Sequence, residues 1–370
     1  MSPMPAALPT ADAALALIKP QVRAESAYTL QAPEARRKLN QNESPYDVPA
    51  PVKEAVIARM RDAAWNRYPP FSPAALLARL AERHRWTPEG VLVGNGSNEL
   101  IQASLTVTVG DGTGVVTPVP TFTLYRLMTE VLGGRHVGVP LTQDFEFDFP
   151  ALVRAARAPG VRVVVVNSPN NPTGTALADG AVERLRAETE ALVIVDEAYQ
   201  DFGGPTAIPL LPRHARLVVL RTFSKAMSLA GLRFGYALAH PAVAREITKA
   251  KLPYNVNQVT LAAAQVALDH PELFEQSTQR VRAARERLLE RLRRMSGLRV
   301  FPSAANFVLI RCEAKPAAEV FRRLVAEYGI LVRDVSAGPG LAQCLRITAG
   351  TPDDVDAVAD ALTAILGSAA

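Results

Sequence analysis

Apolar positions follow one rule up to about residue 90 and another beyond it. In the first stretch they recur at helical spacing. Val52, Ala55, Val56 and Met60 predict a helix over 52–64, and a second is predicted over 74–85. A further amphipathic pattern covers Ala11–Val22 and is broken at Pro20, and Asn42, Pro45, Pro49 and Pro51 make the intervening chain turn-forming. From Val91 onward short apolar runs take over: Val91–Val93, Val115–Thr117, Val161–Val166, Ala191–Val195 and Leu217–Leu220. Each is too short for a helix, and helical stretches separate them. Continuous apolar runs are what strands buried on both faces require, so residues 40–255 predict an α/β domain around a parallel sheet. Residues 256–296 then read as mostly helix. Strands follow at Leu298–Phe301, Asn306–Ile310, Ile330–Val332 and Leu345–Thr348, with helices over 317–328 and 352–366. This α+β pattern predicts a smaller domain, made of 1–39 plus 256–370. A chain of 370 residues is long for one core, which also favours two domains.

Charge narrows the partners. The net charge is only +5, and the longest basic run is Arg36-Arg37-Lys38, so no clustered stripe for nucleic acid is expected. Cys312 and Cys344 lack metal-ligand spacing, and no metal site is expected. No uncharged apolar run reaches the roughly 18 residues of a membrane span. The first ten residues lack the charged start of a signal peptide. The expectation is a cytoplasmic protein that acts on small molecules.

Four strings carry candidate chemistry. The seven lysines are scarce enough to compare one by one, and Lys225 stands apart. It follows the Leu217–Leu220 run in Arg221-Thr222-Phe223-Ser224-Lys225, with Arg233 eight positions on. A lysine there is either a covalent amine beside an anion site or an ordinary loop lysine. Asp196 ends the apolar run in Val195-Asp196-Glu197-Ala198-Tyr199. A carboxylate so placed either pairs with a buried cation or caps the next segment. Asn167-Ser168-Pro169-Asn170-Asn171-Pro172-Thr173-Gly174 either presents an asparagine rigidly or forms a plain turn. Gly94–Asn98, before a helix opening at Glu99, offers a phosphate site or a structural turn.

In this order and spacing the four strings resemble the fold-type I pyridoxal 5'-phosphate (PLP) enzymes of the aspartate-aminotransferase superfamily, from about Asn40 to Thr348. The resemblance implies a large domain with a mixed, mostly parallel seven-stranded sheet plus a smaller α+β domain. It implies that Lys225 holds PLP through an imine and moves the proton between Cα and C4′. It implies that Asp196 pairs with the pyridine nitrogen and that Tyr199 and Asn171 bond its 3-oxygen. By the same likeness Phe122 stacks on the ring, and Ser97, Asn98, Ser224 and Arg233 cup the phosphate, with Thr222 a further member. Arg346 would grip a substrate carboxylate.

A finer likeness is to histidinol-phosphate aminotransferases. It rests on Leu39–Pro45, Arg67-Tyr68-Pro69, Gly96–Ile101, Asn306-Phe307-Val308 and Gly329–Asp334. It implies transamination between histidinol phosphate and 2-oxoglutarate in histidine biosynthesis, with Arg333 and Arg346 sharing phosphate and carboxylate. Asn42 counts among the substrate-binding residues, and Tyr28 is similar in placement to a substrate-phosphate tyrosine. Tyr68 resembles a tyrosine that crosses a homodimer interface to the neighbouring cofactor. Two positions depart from the pattern: Asn98 stands where many relatives carry Asp, and Gln41 where alanine is common. Related scaffolds accept aromatic amino acids or decarboxylate threonine phosphate, and both remain alternatives. Others serve as sensing halves of transcription regulators. Those carry a helix-turn-helix ahead of the fold, and fewer than forty residues precede Asn40 here.

Overall fold

The computed structural model describes residues 10–26 and 33–367. Its centre is a seven-stranded sheet. From edge to edge the strands are Val91–Asn95, Phe234–Ala239, Leu217–Thr222, Leu192–Asp196, Val161–Asn167, Gly114–Val119 and Arg135–Pro140. Phe234–Ala239 is antiparallel to both neighbours, and the other pairs are parallel. The mixed, mostly parallel sheet is therefore present as expected.

The apolar runs alternate between two cores. Val164, Val166, Val193, Val195 and Val219 pack into one, and Val163, Val165, Ile194, Val218 and Leu220 into the other. Fully burying such a side chain is worth roughly 1.5–3 kcal/mol. A strand covered on both faces gains this at every residue, which is why the runs show no polar alternation.

A second, four-stranded antiparallel sheet has the order Arg333–Asp334, Cys344–Thr348, Phe307–Cys312, Leu298–Val300. Helices Pro271–Arg293, Ala317–Tyr328 and Pro352–Leu366 cover it through Leu288, Val320, Leu324, Val358 and Leu362. The segment Arg37–Lys38 pairs in parallel with Ile330–Leu331 and ties the N-terminal chain to this unit.

Several elements differ from the sequence reading. Pro20 opens a helix, Pro20–Ala24, instead of ending one. At the first helical position its missing N–H has no partner to lose. Helix Gln258–Asp269 falls in the stretch expected to belong to the smaller domain. Its Leu261, Ala264 and Ala267 nevertheless join the core that holds Val52, Leu76 and Leu80. No helix among the described residues is long and apolar enough to cross a membrane.

Candidate active site

Asn167, Asp196 and Thr222 are the last residues of three adjacent parallel strands. Ligands of open α/β sheets sit beyond such carboxyl ends. A cavity of about 970 Å³ opens there, with the sheet on one side and Arg333 and Arg346 of the smaller unit on the other.

Asp196 is 3% exposed. Its Oδ2 accepts from the Tyr125 hydroxyl at 2.7 Å and its Oδ1 from the Ala198 N–H at 3.0 Å. Burial raises its pKa, and these two donors hold it back. The Asn167 side chain fixes the strand end by donating to the Asp196 carbonyl at 2.8 Å. Phe122 meets the Tyr125 ring edge-on, with centroids 5.7 Å apart. The buried carboxylate and the aromatic ring of Phe122, which also lines the cavity, are thus both in contact with one tyrosine.

Lys225 Nζ donates to the Gln41 carbonyl at 2.9 Å and lies 5.7 Å from the centre of the Tyr199 ring. Burial first, then the Arg346 charge, bring its pKa down to about 7, against the opposing pull of Glu43. Near neutral pH a sizeable share of this amine is uncharged, as a nucleophile or base must be.

An anion cup lies at one end of the cavity. Helix Ser97–Thr106 opens two residues earlier than expected, after Gly96 at φ 78°. A side chain at Gly96 would meet Arg233 Nη2 at 2.6 Å, and one at Gly235 would meet the Ser97 nitrogen at 2.3 Å. Glycine at these positions lets the guanidinium and the helix start approach each other. Arg233 Nη1 donates to Ser224 Oγ at 3.3 Å, and Thr222 Oγ1 donates to the same oxygen at 3.0 Å. Ser97, Asn98 and Ser224 line the cavity beside Arg233. A helix N-terminus, hydroxyls and one fixed cation suit a phosphate.

Toward the smaller unit, Asn171 Oδ1 accepts from Arg346 Nη1, and Arg346 Nη2 donates to the Asn40 carbonyl at 2.7 Å. Arg333 and Arg346 face each other directly across the antiparallel ladder. Directly opposed residues share a sheet face. Asn42 lines the cavity, with its amide bonded to the Tyr199 hydroxyl at 3.0 Å. Tyr68 is not part of the cavity. It is 78% exposed and stacked on Tyr254 at 4.5 Å. Tyr28 lies outside the described residues. Tyr125 and Asn167 were missed by the sequence reading. The signal for Asn167 is its place at the head of the Asn167–Gly174 stretch, and for Tyr125 its place at the end of Pro120-Thr121-Phe122-Thr123-Leu124-Tyr125.

The donor set fits PLP. The phosphate cup and the buried carboxylate lie at separate places along the same strand ends. The amine at Lys225 stands on the loop that also carries Ser224, and Phe122 offers a ring face. Asp196, desolvated and with two donors already, is suited to a protonated ring nitrogen. Among the described residues no cluster of side chains could hold a metal ion.

Comparison with known proteins agrees. Residues 37–362 match the family of class I and II aminotransferases. Histidinol-phosphate aminotransferase 2 of Nitrosococcus oceani is 38% identical over 358 residues, 96% of this chain and 99% of its own. The histidinol-phosphate aminotransferase of Chlorobium phaeovibrioides is 37% identical over 355 residues, 95% of this chain and 98% of its own. The crystal structure of histidinol-phosphate aminotransferase from Sinorhizobium meliloti in complex with PLP aligns at a TM-score of 0.84 and 25% identity, covering 95% of this chain and 97% of that one. The chain belongs to the class I and II aminotransferases and is a PLP-dependent transaminase.

Proposed function

We propose that the enzyme transfers an amino group between histidinol phosphate and 2-oxoglutarate, giving imidazole acetol phosphate and glutamate, as a step of histidine biosynthesis. The observation that carries this reading is the register pair Arg333–Arg346 at the cavity wall. Two guanidinium groups from opposed strand positions can bind a dianionic phosphate or a carboxylate in turn. The relatives that match nearly end to end bear the same activity in their names.

Bound PLP supplies an electron sink for the bond broken at Cα. In the proposed roles, Asp196 holds the ring nitrogen, with Tyr125 fixing the carboxylate. Phe122 stacks on the ring face. Ser97, Asn98, Ser224 and Arg233 bind the phosphate, with Thr222 orienting Ser224. Tyr199 and Asn171 donate to the 3-oxygen, and Arg346 turns between Asn171 and the substrate anion. Lys225 Nζ would take up and return the proton of the substrate Cα, and its depressed pKa lets it accept and release that proton near neutrality. One cavity serves both substrates in turn, so the kinetics are ping-pong.

The same proposal covers assembly and place. The exposed aromatic patch of Trp65, Tyr68, Phe71 and Tyr254 is an interface of a homodimer, through which Tyr68 reaches the neighbouring phosphate cup. The enzyme acts in the cytoplasm, as a large unit over about 40–255 joined by helix Gln258–Asp269, and a smaller unit from the rest.

The test is a half-reaction on PLP-loaded protein. Histidinol phosphate, phenylalanine and threonine phosphate are added separately while the cofactor's visible band is followed. Fast bleaching by histidinol phosphate with slow response to phenylalanine is expected. A fast response to phenylalanine alone, or carbon dioxide release from threonine phosphate, refutes the assignment. Arg333→Ala should weaken histidinol phosphate far more than glutamate, and equal losses would remove Arg333 from phosphate binding.

A further inference from the structure

We propose that Asn42 is a positioning residue that sets the direction of the Tyr199 hydrogen bond, so that this hydroxyl donates into the cavity. The inference rests on the reading of Tyr199 as a donor to the cofactor's 3-oxygen. It replaces direct substrate contact as the role of Asn42.

Asn42 is 1% exposed and sits at φ 54°, a left-handed conformation that asparagine, aspartate and glycine tolerate best. Its backbone is gripped at both ends. The N–H donates to Thr348 Oγ1 at 3.0 Å, and the carbonyl accepts from Asn306 Nδ2 at 3.0 Å. Thr348 and Asn306 are themselves 3% and 0% exposed. The Thr348 hydroxyl, having accepted from the Asn42 N–H, donates to Asn42 Oδ1 at 3.2 Å. In this arrangement the amide oxygen faces Thr348, and Nδ2 donates to the Tyr199 hydroxyl at 3.0 Å.

A tyrosine hydroxyl has a single proton. An oxygen that accepts from Asn42 directs that proton to another acceptor. The Tyr199 ring is 5% exposed and packed edge-on against Phe307 at 5.3 Å, which holds the hydroxyl in place. Asn306, Phe307 and Thr348 all belong to the smaller unit, so the polarity of a hydrogen bond beyond the carboxyl end of the central strand is set from across the cavity.

The test inverts the polarity. Asn42→Asp keeps shape and backbone preference but, once ionised, can only accept, so Tyr199 would donate to it and away from the cofactor. The readout is the pH midpoint of the visible absorption of the PLP-loaded enzyme. Donation to the 3-oxygen stabilises its negative charge and so weakens retention of the neighbouring proton. Losing it should raise the midpoint by about one pH unit, equivalent to about 1.4 kcal/mol. Tyr199→Phe should raise the midpoint similarly, and the double variant should match Tyr199→Phe alone. A shift with Tyr199→Phe but none with Asn42→Asp overturns the role of Asn42 and leaves that of Tyr199 standing. No shift with Tyr199→Phe overturns the role of Tyr199 itself, and this proposal with it. A full Asn42→Asp shift in the Tyr199→Phe background means that the new charge acts through space, and also overturns the proposal. Asn42→Gly keeps the left-handed backbone and removes the donor without adding charge. Its midpoint should rise by less than that of Asn42→Asp, and an unchanged midpoint counts against the assignment.

Discussion

Tyr125→Phe removes one oxygen atom from a fully buried place and leaves the ring packing intact. In the native protein that hydroxyl donates at 2.7 Å to Asp196 Oδ2, and both residues are buried. A hydrogen bond to a charged group contributes about 1.5–3 kcal/mol, and a neutral one about 0.5–1.5 kcal/mol. Burial places the folded-state pKa of Asp196 above its ordinary 3.8. In cofactor-free protein this group's contribution is therefore largest in acid and is lost as pH rises through the folded-state value. Tyr125 limits the loss because it favours the ionised form. Without it the folded-state pKa climbs further and the loss grows. The stability gap between native and Tyr125→Phe proteins should thus be about 0.5–1.5 kcal/mol in acid, where Asp196 is protonated, and widen to about 1.5–3 kcal/mol as pH rises above its folded-state value. Chemical denaturation of the cofactor-free proteins, followed by circular dichroism across that range, measures the gap directly, and contributions from other carboxylates cancel in the difference. A gap that stays constant with pH would mean that the hydroxyl matters only through packing, and no gap at all would remove Tyr125 from the support of Asp196.

Three further outcomes follow from the same geometry. Lys225→Ala should abolish the cofactor's visible band and slow transamination by orders of magnitude, as single-turnover assays would report. Glu197→Gln leaves the buried Arg221 guanidinium, 2.8 Å from the lost carboxylate, with only the more exposed Asp201 at 3.3 Å as a charge partner. Breaking such a buried pair costs about 3–5 kcal/mol, so the thermal midpoint should fall clearly even with PLP bound. Gly96→Ala puts a methyl group 2.6 Å from Arg233 Nη2 at φ 78°, so PLP affinity measured by equilibrium dialysis should fall at least severalfold while the secondary structure persists.

What the sequence disclosed and what it hid divide along a physical line. The central strands were legible because Val161–Val166 and Ala191–Val195 must be apolar on both faces. The edge strand Arg135–Pro140 escaped because only Val139 is buried and Arg135, His136, Gly138 and Pro140 interrupt any apolar run. Phe234–Ala239 escaped because Gly235 is small where the sheet meets the Ser97 backbone, and it, Ala237 and Ala239 carry no strand signature. The site followed the same division. Lys225, Asp196, Asn171 and Arg233 stood in strings whose local geometry demands unusual residues. Tyr125 sits one residue into an amphipathic helix and looks like any core aromatic, yet it is bonded to a carboxylate 71 positions away. Asn42 stood in a recognisable string, but that string did not disclose that its amide turns toward Tyr199, because Thr348 and Asn306 impose the turn from the far end of the chain. Groups that touch a cofactor leave local marks, since the backbone must be shaped around them. Groups that aim those contacts are chosen by hydrogen-bond polarity alone, which any buried hydroxyl or amide in reach can supply, and only the assembled fold identifies them.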